Sequence, residues 1–230
     1  MRKKINNQAA SQALKSDQRV AVVLVHGLWL NKYAFKPFSL YLKQTGFIPY
    51  LFDYSSIFSD LQTNVERLAS FVKTIPQQHI NFVGHSLGGV VILTMLKKYM
   101  PQRASKVVLL GTPVRGSELG RSIAHRSYGK YVFGQSRFAW DNDTIDTWNE
   151  KAEVGSIAGI SSPSIASIVF FHRLKKPSDG VVTVEETRIP GFKDCITLSA
   201  GHTFGLLLSK DVMKQADAFL KNGQFLKDAS

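Results

Sequence analysis

The sequence predicts an α/β fold, with a mostly parallel central sheet covered by helices on both faces. Three observations carry this reading. Short apolar runs such as Val20-Ala21-Val22-Val23-Leu24-Val25 recur along the chain, the pattern of strands buried on both faces. Amphipathic helical stretches lie between them, and strand-helix alternation implies a parallel sheet. The chain has 230 residues, 44% of them hydrophobic, enough to bury one large core. The organisation expected is a polar, basic N-terminal arm over residues 1–19 and a single domain over 20–230, with a cap insertion at about 112–164.

The elements follow in order. The first strand, Val20 to Val25, ends at His26-Gly27. A helix comes next, with apolar positions at Phe35, Phe38 and Leu42, Pro37 tolerated near its start and Gly46 stopping it. Phe47 to Phe52 is a second strand ending at Asp53-Tyr54. Ser59-Asp60-Leu61-Gln62 reads as a capping box opening a helix whose Leu61, Val65, Leu68, Phe71, Val72 and Ile75 form one apolar face, until Pro76. The run Ile80-Asn81-Phe82-Val83 is a third strand, followed by a helix after Ser86 and a strand from Lys106 to Leu110. Thr112 to Ser164 breaks the alternation and reads as a cap over the sheet edge, its Phe133, Phe138, Trp140 and Trp148 read chiefly as packing residues. Strands at Ile165 to Phe171 and near Cys195 to Leu198 follow, and a helix bearing Val212, Ala216, Phe219 and Leu220 closes the chain.

The chemistry centres on Gly84-His85-Ser86-Leu87-Gly88, where a strand turns sharply into a helix around one serine. A serine hydroxyl is a poor nucleophile until a base takes its proton, and such a turn holds it exposed at the sheet edge where a base can reach. His202, in Ser199-Ala200-Gly201-His202-Thr203, lies just after the last strand and is the expected base. Asp179, in Ser178-Asp179-Gly180-Val181-Val182, is the expected orienting carboxylate. Its competitors are worse placed: Asp53 ends an early strand, Asp141, Asp143 and Asp146 fall in the cap, and Asp194 precedes the final strand. The backbone amides of Leu28 and Leu87 are the expected oxyanion donors. His26 and His85 are read as structural, and His125 and His172 receive no role. No substrate-binding residue is assigned.

Composition bounds the partners. The net charge of +12 is uneven. Arg103, Lys106, Arg115, Arg121, Arg126, Lys130 and Arg137 face Glu118 alone between residues 101 and 137. That segment is either a solvated basic face or a surface for an anionic membrane or substrate. No nucleic-acid motif accompanies the charge, so no nucleic acid is expected. Clustered metal-ligand spacings are lacking too, and no metal or other cofactor is expected. The lone Cys195 cannot form an internal disulfide, and Met1-Arg2-Lys3-Lys4 runs into polar residues rather than an apolar signal segment. A cytoplasmic location, or one peripheral to the inner membrane face, is the expectation.

Together Val23-Leu24-Val25-His26-Gly27-Leu28-Trp29, Gly84-His85-Ser86-Leu87-Gly88-Gly89, Ser178-Asp179-Gly180-Val181-Val182 and Gly201-His202 resemble the α/β-hydrolase superfamily. The likeness runs from about residue 20 to the final helix. Gly111-Thr112-Pro113-Val114-Arg115-Gly116-Ser117 and the compact length are similar to its small bacterial lipase and esterase branch, including lipases with a minimal cap and GPI inositol-deacylase-like proteins. The order Ser86, Asp179, His202 is the one this topology requires. The resemblance implies a serine carboxylester hydrolase acting on a small-molecule or lipid ester. An acyltransferase or thioesterase with the same triad, or a non-catalytic ligand-binding protein that keeps the fold, are the alternatives.

Overall fold

Alternation of side chains along each buried strand builds two cores, one on each face of the sheet. In the computed structural model, residues 19–99, 101–136, 145–161 and 174–227 are described. Strand β1 (Ala21–Val25) is fully buried and sends Ala21, Val23 and Val25 to one face and Val22 and Leu24 to the other. The other strands are β2 (Ile48–Phe52), β3 (Ile80–His85), β4 (Ala104–Leu110), β5 (Glu153–Gly159) and β6 (Asp194–Leu198). They form one sheet in the order β2-β1-β3-β4-β5-β6, and every neighbouring pair is parallel. The chain winds outward from β1 in one direction to β2 and in the other to β3. The crevice between the carboxyl ends of β1 and β3 is therefore the switch point of the sheet, where open α/β sheets bind ligands.

Helices α1 (Lys36–Gln44), α2 (Leu61–Thr74) and α3 (Leu87–Tyr99) follow β1, β2 and β3. Phe38 and Leu42 of α1 pack with Val22, Leu24 and Val83, while Val65 and Leu68 of α2 and Ile92 and Met95 of α3 pack with Val23, Phe82 and Val107. A short 3-10 turn, Lys32–Phe35, precedes α1, with Asn31 capping it through Tyr33 N at 3.0 Å. The cap of α2 differs from the expected box. Asp60, not Ser59, accepts from the Thr63 amide at 2.7 Å, and Gln62 turns outward to Glu66. One residue decides this, because the side chain that leaves the extended backbone just before the first turn is the one that reaches the third amide.

The segment expected to be cap holds two kinds of structure. Short helices α4 (Glu118–Ala124) and α5 (Gly129–Phe133) come first, and β5 completes the sheet between β4 and β6. Strand β5 therefore lies inside the range assigned to the cap. The physical reason is in its composition, since Glu-Val-Gly-Ser-Ile-Ala-Gly lacks the bulk that marks a buried strand. A Cβ at Gly155 would lie 2.6 Å from the Phe219 ring, so smallness there makes room for the last helix. The expected strand at Ile165 to Phe171, Phe138, Trp140 and residues 1–18 of the expected arm lie outside the described residues. Trp148 is buried with its indole donating to the Ala152 carbonyl at 2.8 Å, and Phe133 is buried against Leu119 and Ile123. The final helices are α6 (Phe204–Leu208) and α7 (Lys210–Asn222), whose Val212, Ala216 and Phe219 complete the second core. Among the described residues, no helix is long and apolar enough to cross a membrane.

Candidate active site

Ser86 stands at the turn from β3 into α3, next to the switch point, with φ of +52°. A serine in the left-handed region is uncommon and strained, and here the turn is held from both sides. The Ser86 amide donates to the Leu110 carbonyl at 2.9 Å, and its carbonyl accepts from Gly89 at 3.0 Å. The turn also needs a residue without a side chain. A Cβ on Gly88 would stand 2.2 Å from the Val25 carbonyl oxygen and 2.3 Å from that of His26, because α3 starts directly against the end of β1.

The three predicted side chains converge from distant parts of the chain. Ser86 Oγ lies 3.1 Å from His202 Nε2, and His202 Nδ1 lies 2.7 Å from Asp179 Oδ2. All three are buried. The other oxygen of Asp179 accepts from the amides of Val181 at 2.9 Å and Val182 at 2.8 Å. Burial raises the Asp179 carboxyl, but the His202 ring and the Val182 and Val181 amides outweigh that and hold it below the usual carboxylate range. With the carboxylate ionised, Nδ1 of His202 carries the proton and Nε2 presents a lone pair toward Ser86. The arrangement can take a proton from a hydroxyl and stabilise the imidazolium that results.

Two groups pack around this chain, His85, read from sequence as structural, and Gly111, to which no role was given. His85 is buried, and its Nε2 donates to the backbone carbonyl of His202 at 2.8 Å. Burial pushes its imidazole down to about 3, so the ring stays neutral and keeps one proton for that bond. Its place beside the serine was the only sequence signal. The second is Gly111, with φ of +55°, where a Cβ would meet Leu206 at 2.7 Å, Asp179 Oδ2 at 3.0 Å and His202 Nδ1 at 3.2 Å. Nothing larger fits beside the carboxylate and imidazole.

His26 and Asp53 hold the segment that leads into Leu28. The His26 ring is buried, stacked on Tyr54 at 4.4 Å, with Nδ1 donating to the Gly27 carbonyl at 2.9 Å and Asp53 Oδ1 3.4 Å from Nε2. Tyr54 donates its hydroxyl to the His26 carbonyl at 2.8 Å. Burial lowers the His26 imidazole, and the neighbouring Gly27 carbonyl and Asp53 offset part of that effect. Leu28 follows this clamp and lines the same cavity as Ser86, while Leu87 opens α3, where free amides and the helix dipole favour negative charge. Asp194 lies away from the site at the start of β6, accepting from the Phe225 amide at 2.9 Å. His125 ends α4 as its C-cap, while Asp141, Asp143 and His172 fall outside the described residues.

The serine opens onto a cavity of about 240 Å³. Trp29, Leu119, Ile123, Val132, Phe133 and Val182 give it a largely apolar wall. Much of that wall belongs to α4 and α5. Among the described residues, no group of three or more His, Cys, Asp or Glu side chains is placed to hold a metal ion.

Comparison with known proteins places this geometry. No curated protein sequence matches the chain. Among solved structures, it is similar to the mature lipase BlEst2 of Bacillus licheniformis, at 21% identity and a TM-score of 0.69 over 87% of this chain and 90% of that one. In its propeptide form the same lipase is covered over 52% of its length. A metagenomic carboxyl esterase, MGS0156, matches at 19% identity and 0.59 over 80% of this chain and 64% of that one. A pyrethroid hydrolase of Sphingobium faniae JZ-2 matches at 13% identity and 0.57, over 87% and 97%. At such identities the likeness is one of fold. A family model described as the alpha/beta hydrolase family matches residues 22–191, most of the chain and both the Ser86 and Asp179 loops, so the protein belongs to that family.

Proposed function

We propose that this protein is a serine carboxylester hydrolase that works through an acyl-enzyme on Ser86. The observation that carries the reading is the unbroken hydrogen-bonded line Ser86, His202, Asp179, at 3.1 and 2.7 Å, opening into an apolar cavity. In the first half-reaction Ser86 Oγ bonds to the ester carbonyl carbon as its proton passes to His202 Nε2. Asp179 holds the ring and balances the imidazolium charge. The amides of Leu28 and Leu87 receive the oxyanion. When the tetrahedral adduct collapses, the bond to the alcohol oxygen breaks and His202 returns the proton to it. Water then repeats the sequence on the acyl-enzyme, its proton going to His202 and on to Ser86 as the acid leaves.

The cavity wall supports an ester with an apolar acyl group. A void of about 150 Å³ holds a benzene ring, so one of about 240 Å³ suits a chain of roughly eight carbons. The structural neighbours named as a lipase, a carboxyl esterase and pyrethroid hydrolases fit an activity of this kind.

A fluorophosphonate probe tests the assignment. The protein is expected to label once, on Ser86, and the Ser86→Ala variant not at all. Equal labelling of that variant, or an unlabelled wild type that nonetheless folds, would sink the proposal. A series of p-nitrophenyl esters should then show kcat/KM rising to about eight acyl carbons and falling beyond, and a monotonic rise through longer chains would overturn the acyl-pocket reading.

A further inference from the structure

The fold leaves four large aromatic side chains bare on and near the segments that line the cavity. Trp29, Phe58, Tyr131 and Phe204 are 60%, 85%, 71% and 78% exposed. They come from four separate segments: Trp29 lines the cavity itself, and the other three belong to segments that adjoin or are tied to its lining. The Trp29 amide donates to Ser56 Oγ at 3.2 Å, in the loop after β2. That loop carries Phe58 and is tied to the end of α5, since Gln135 N donates to the Ile57 carbonyl at 2.7 Å and Ser136 Oγ to the Ser56 carbonyl at 2.7 Å. Tyr131 sits on α5 beside Val132 and Phe133, which line the cavity. Phe204 follows Thr203, another lining residue. Scattered apolar residues on a surface are ordinary, but large exposed aromatics on segments that adjoin one cavity mark a contact surface.

Trp29 adds a second point. Its φ is +62°, a left-handed conformation that is an outlier for a bulky side chain. The backbone accepts that strain while the indole stays more than half in solvent.

Charge names the partner. Arg115, Arg121 and Lys175 share an open depression with Glu118, Glu185 and Glu186, so their charges are locally balanced. Arg126, between α4 and α5, and Lys130, on α5, are exposed and have no ion-pair partner among the described residues. The ammonium of Lys130 stands 4.9 Å from the Tyr131 ring centroid, so cation and aromatic occupy one spot. The chain as a whole carries +12. Aromatic side chains that enter the boundary between headgroup and acyl chain, flanked by cations, are the chemistry of peripheral binding to an anionic bilayer.

We propose that the rim formed by Trp29, Phe58, Tyr131, Phe204, Arg126 and Lys130 docks the protein on an anionic lipid surface, with the cavity mouth facing the bilayer. The proposal rests on where the cavity opens and not on the reaction at Ser86. Docking in this orientation would deliver an apolar ester from the membrane into the cavity without passage through water.

Co-sedimentation of the full chain with sucrose-loaded vesicles tests it, using phosphatidylcholine alone and phosphatidylcholine mixed with phosphatidylglycerol. Binding is expected on the mixed vesicles, weak or lost on the zwitterionic ones, and reduced by salt. Arg126→Gln with Lys130→Gln should weaken it roughly 20- to 30-fold, and Phe58→Ser with Tyr131→Ser at least about tenfold. None of these four residues belongs to the triad or the cavity wall, so turnover of a soluble short-chain ester should stay unchanged and shows that the variants fold. The Ser86→Ala variant should bind as well as wild type, which separates docking from catalysis. No binding to mixed vesicles, equal binding to both compositions, or a concentration-dependent dimer abolished by Phe58→Ser with Tyr131→Ser would each overturn the proposal, the last in favour of a second copy of this chain.

Discussion

Replacing Asp179 with asparagine should abolish activity while leaving the fold in place, and the hydrogen bonds say why. One carboxylate oxygen accepts from the Val181 and Val182 amides at 2.9 and 2.8 Å, and only an oxygen can stay there. An asparagine must therefore keep its carbonyl on those two amides and turn its NH₂ toward His202, into the position 2.7 Å from Nδ1. Two donors cannot face each other, so Nδ1 must give up its proton and become the acceptor. The proton moves to Nε2, 3.1 Å from Ser86 Oγ, and the lone pair that would take the serine proton is gone. The equivalent change in a well-studied serine protease triad costs about 10⁴ in kcat, or on the order of 5.5 kcal/mol of transition-state stabilisation. Alanine is a poorer test, because it strands two buried amides at about 1–3 kcal/mol each and confuses folding with chemistry. The assay is steady-state turnover of a soluble p-nitrophenyl ester, with ¹⁵N NMR of the His202 ring to read the tautomer and calorimetry to check the fold. Activity within tenfold of wild type, with the proton still on Nδ1, would refute the reasoning.

Three further expectations follow from the same geometry. His85→Leu removes the donor to the His202 carbonyl and should lower kcat roughly 10- to 100-fold with KM little changed. His85→Gln, which keeps an N–H donor, should restore part of the loss, and equal kcat in the two variants would argue against a positioning role. Gly88→Ala drives a Cβ into two backbone oxygens and should cost at least about 3 kcal/mol, seen as a large fall in Tm or loss of soluble protein. Gly46→Ala, at φ of +103° but facing open space, should cost only about 1 kcal/mol, and a similar loss at both glycines would contradict the close approach at α3. Acid should destabilise the fold in two stages. Burial holds His85 at about 3 and lowers His26, so below about 6.5 the unfolded chain binds protons that the folded chain refuses, and stability falls with pH. His85 alone accounts for on the order of 3 kcal/mol by pH 4. Asp179, held below its ordinary value, adds a further loss only as pH drops below about 3.8 toward its folded value. Calorimetric Tm between pH 7 and 4 should fall less steeply in His85→Gln than in wild type, and parallel curves would refute the assignment to His85.

How legible each part was in the sequence depended on what its residues have to do. Strands β1, β3 and β4 announce themselves because they are buried on both faces and carry runs of apolar residues, as in Val22 to Val25, Phe82 to Val83 and Val107 to Leu110. Ser86 and His202 were readable because each follows a strand whose pattern locates it, and Asp179 because it stands between them in sequence in Ser178-Asp179-Gly180-Val181-Val182. Strand β5 was hidden because its neighbours leave no space for the bulk that signals a strand. Gly155 faces the Phe219 ring, and a Cβ on Gly159 would meet the Ala200 carbonyl oxygen at 2.3 Å and Asp179 Cβ at 2.8 Å. The same smallness that obscures β5 lets Asp179 come down onto the sheet. His85 was read as structural, but its partner was not readable, since that partner is a backbone carbonyl 117 residues away and no side-chain type at His202 reports it.

The site therefore has two halves with different relations to sequence. The half that carries the proton line is built on strand ends of a rigid sheet, and its parts are held by close approaches at Gly88 and Gly111 that tolerate no added atom. Chemistry fixes those residues, so they can be read without knowing the substrate. In the proposed reading the half that meets the ester is the α4–α5 hairpin, where Leu119, Ile123, Val132 and Phe133 need only be apolar and of suitable size. Such residues look like any packed side chain until the fold turns them toward Ser86. It follows that exchanging apolar residues along α4 and α5 should change which esters are cleaved while leaving the probe reactivity of Ser86 intact. An Ile123→Ala variant that keeps fluorophosphonate labelling but shifts its preferred acyl chain to greater length would fit this division. A variant that lost labelling and chain preference together, while remaining folded, would show that the two halves are one.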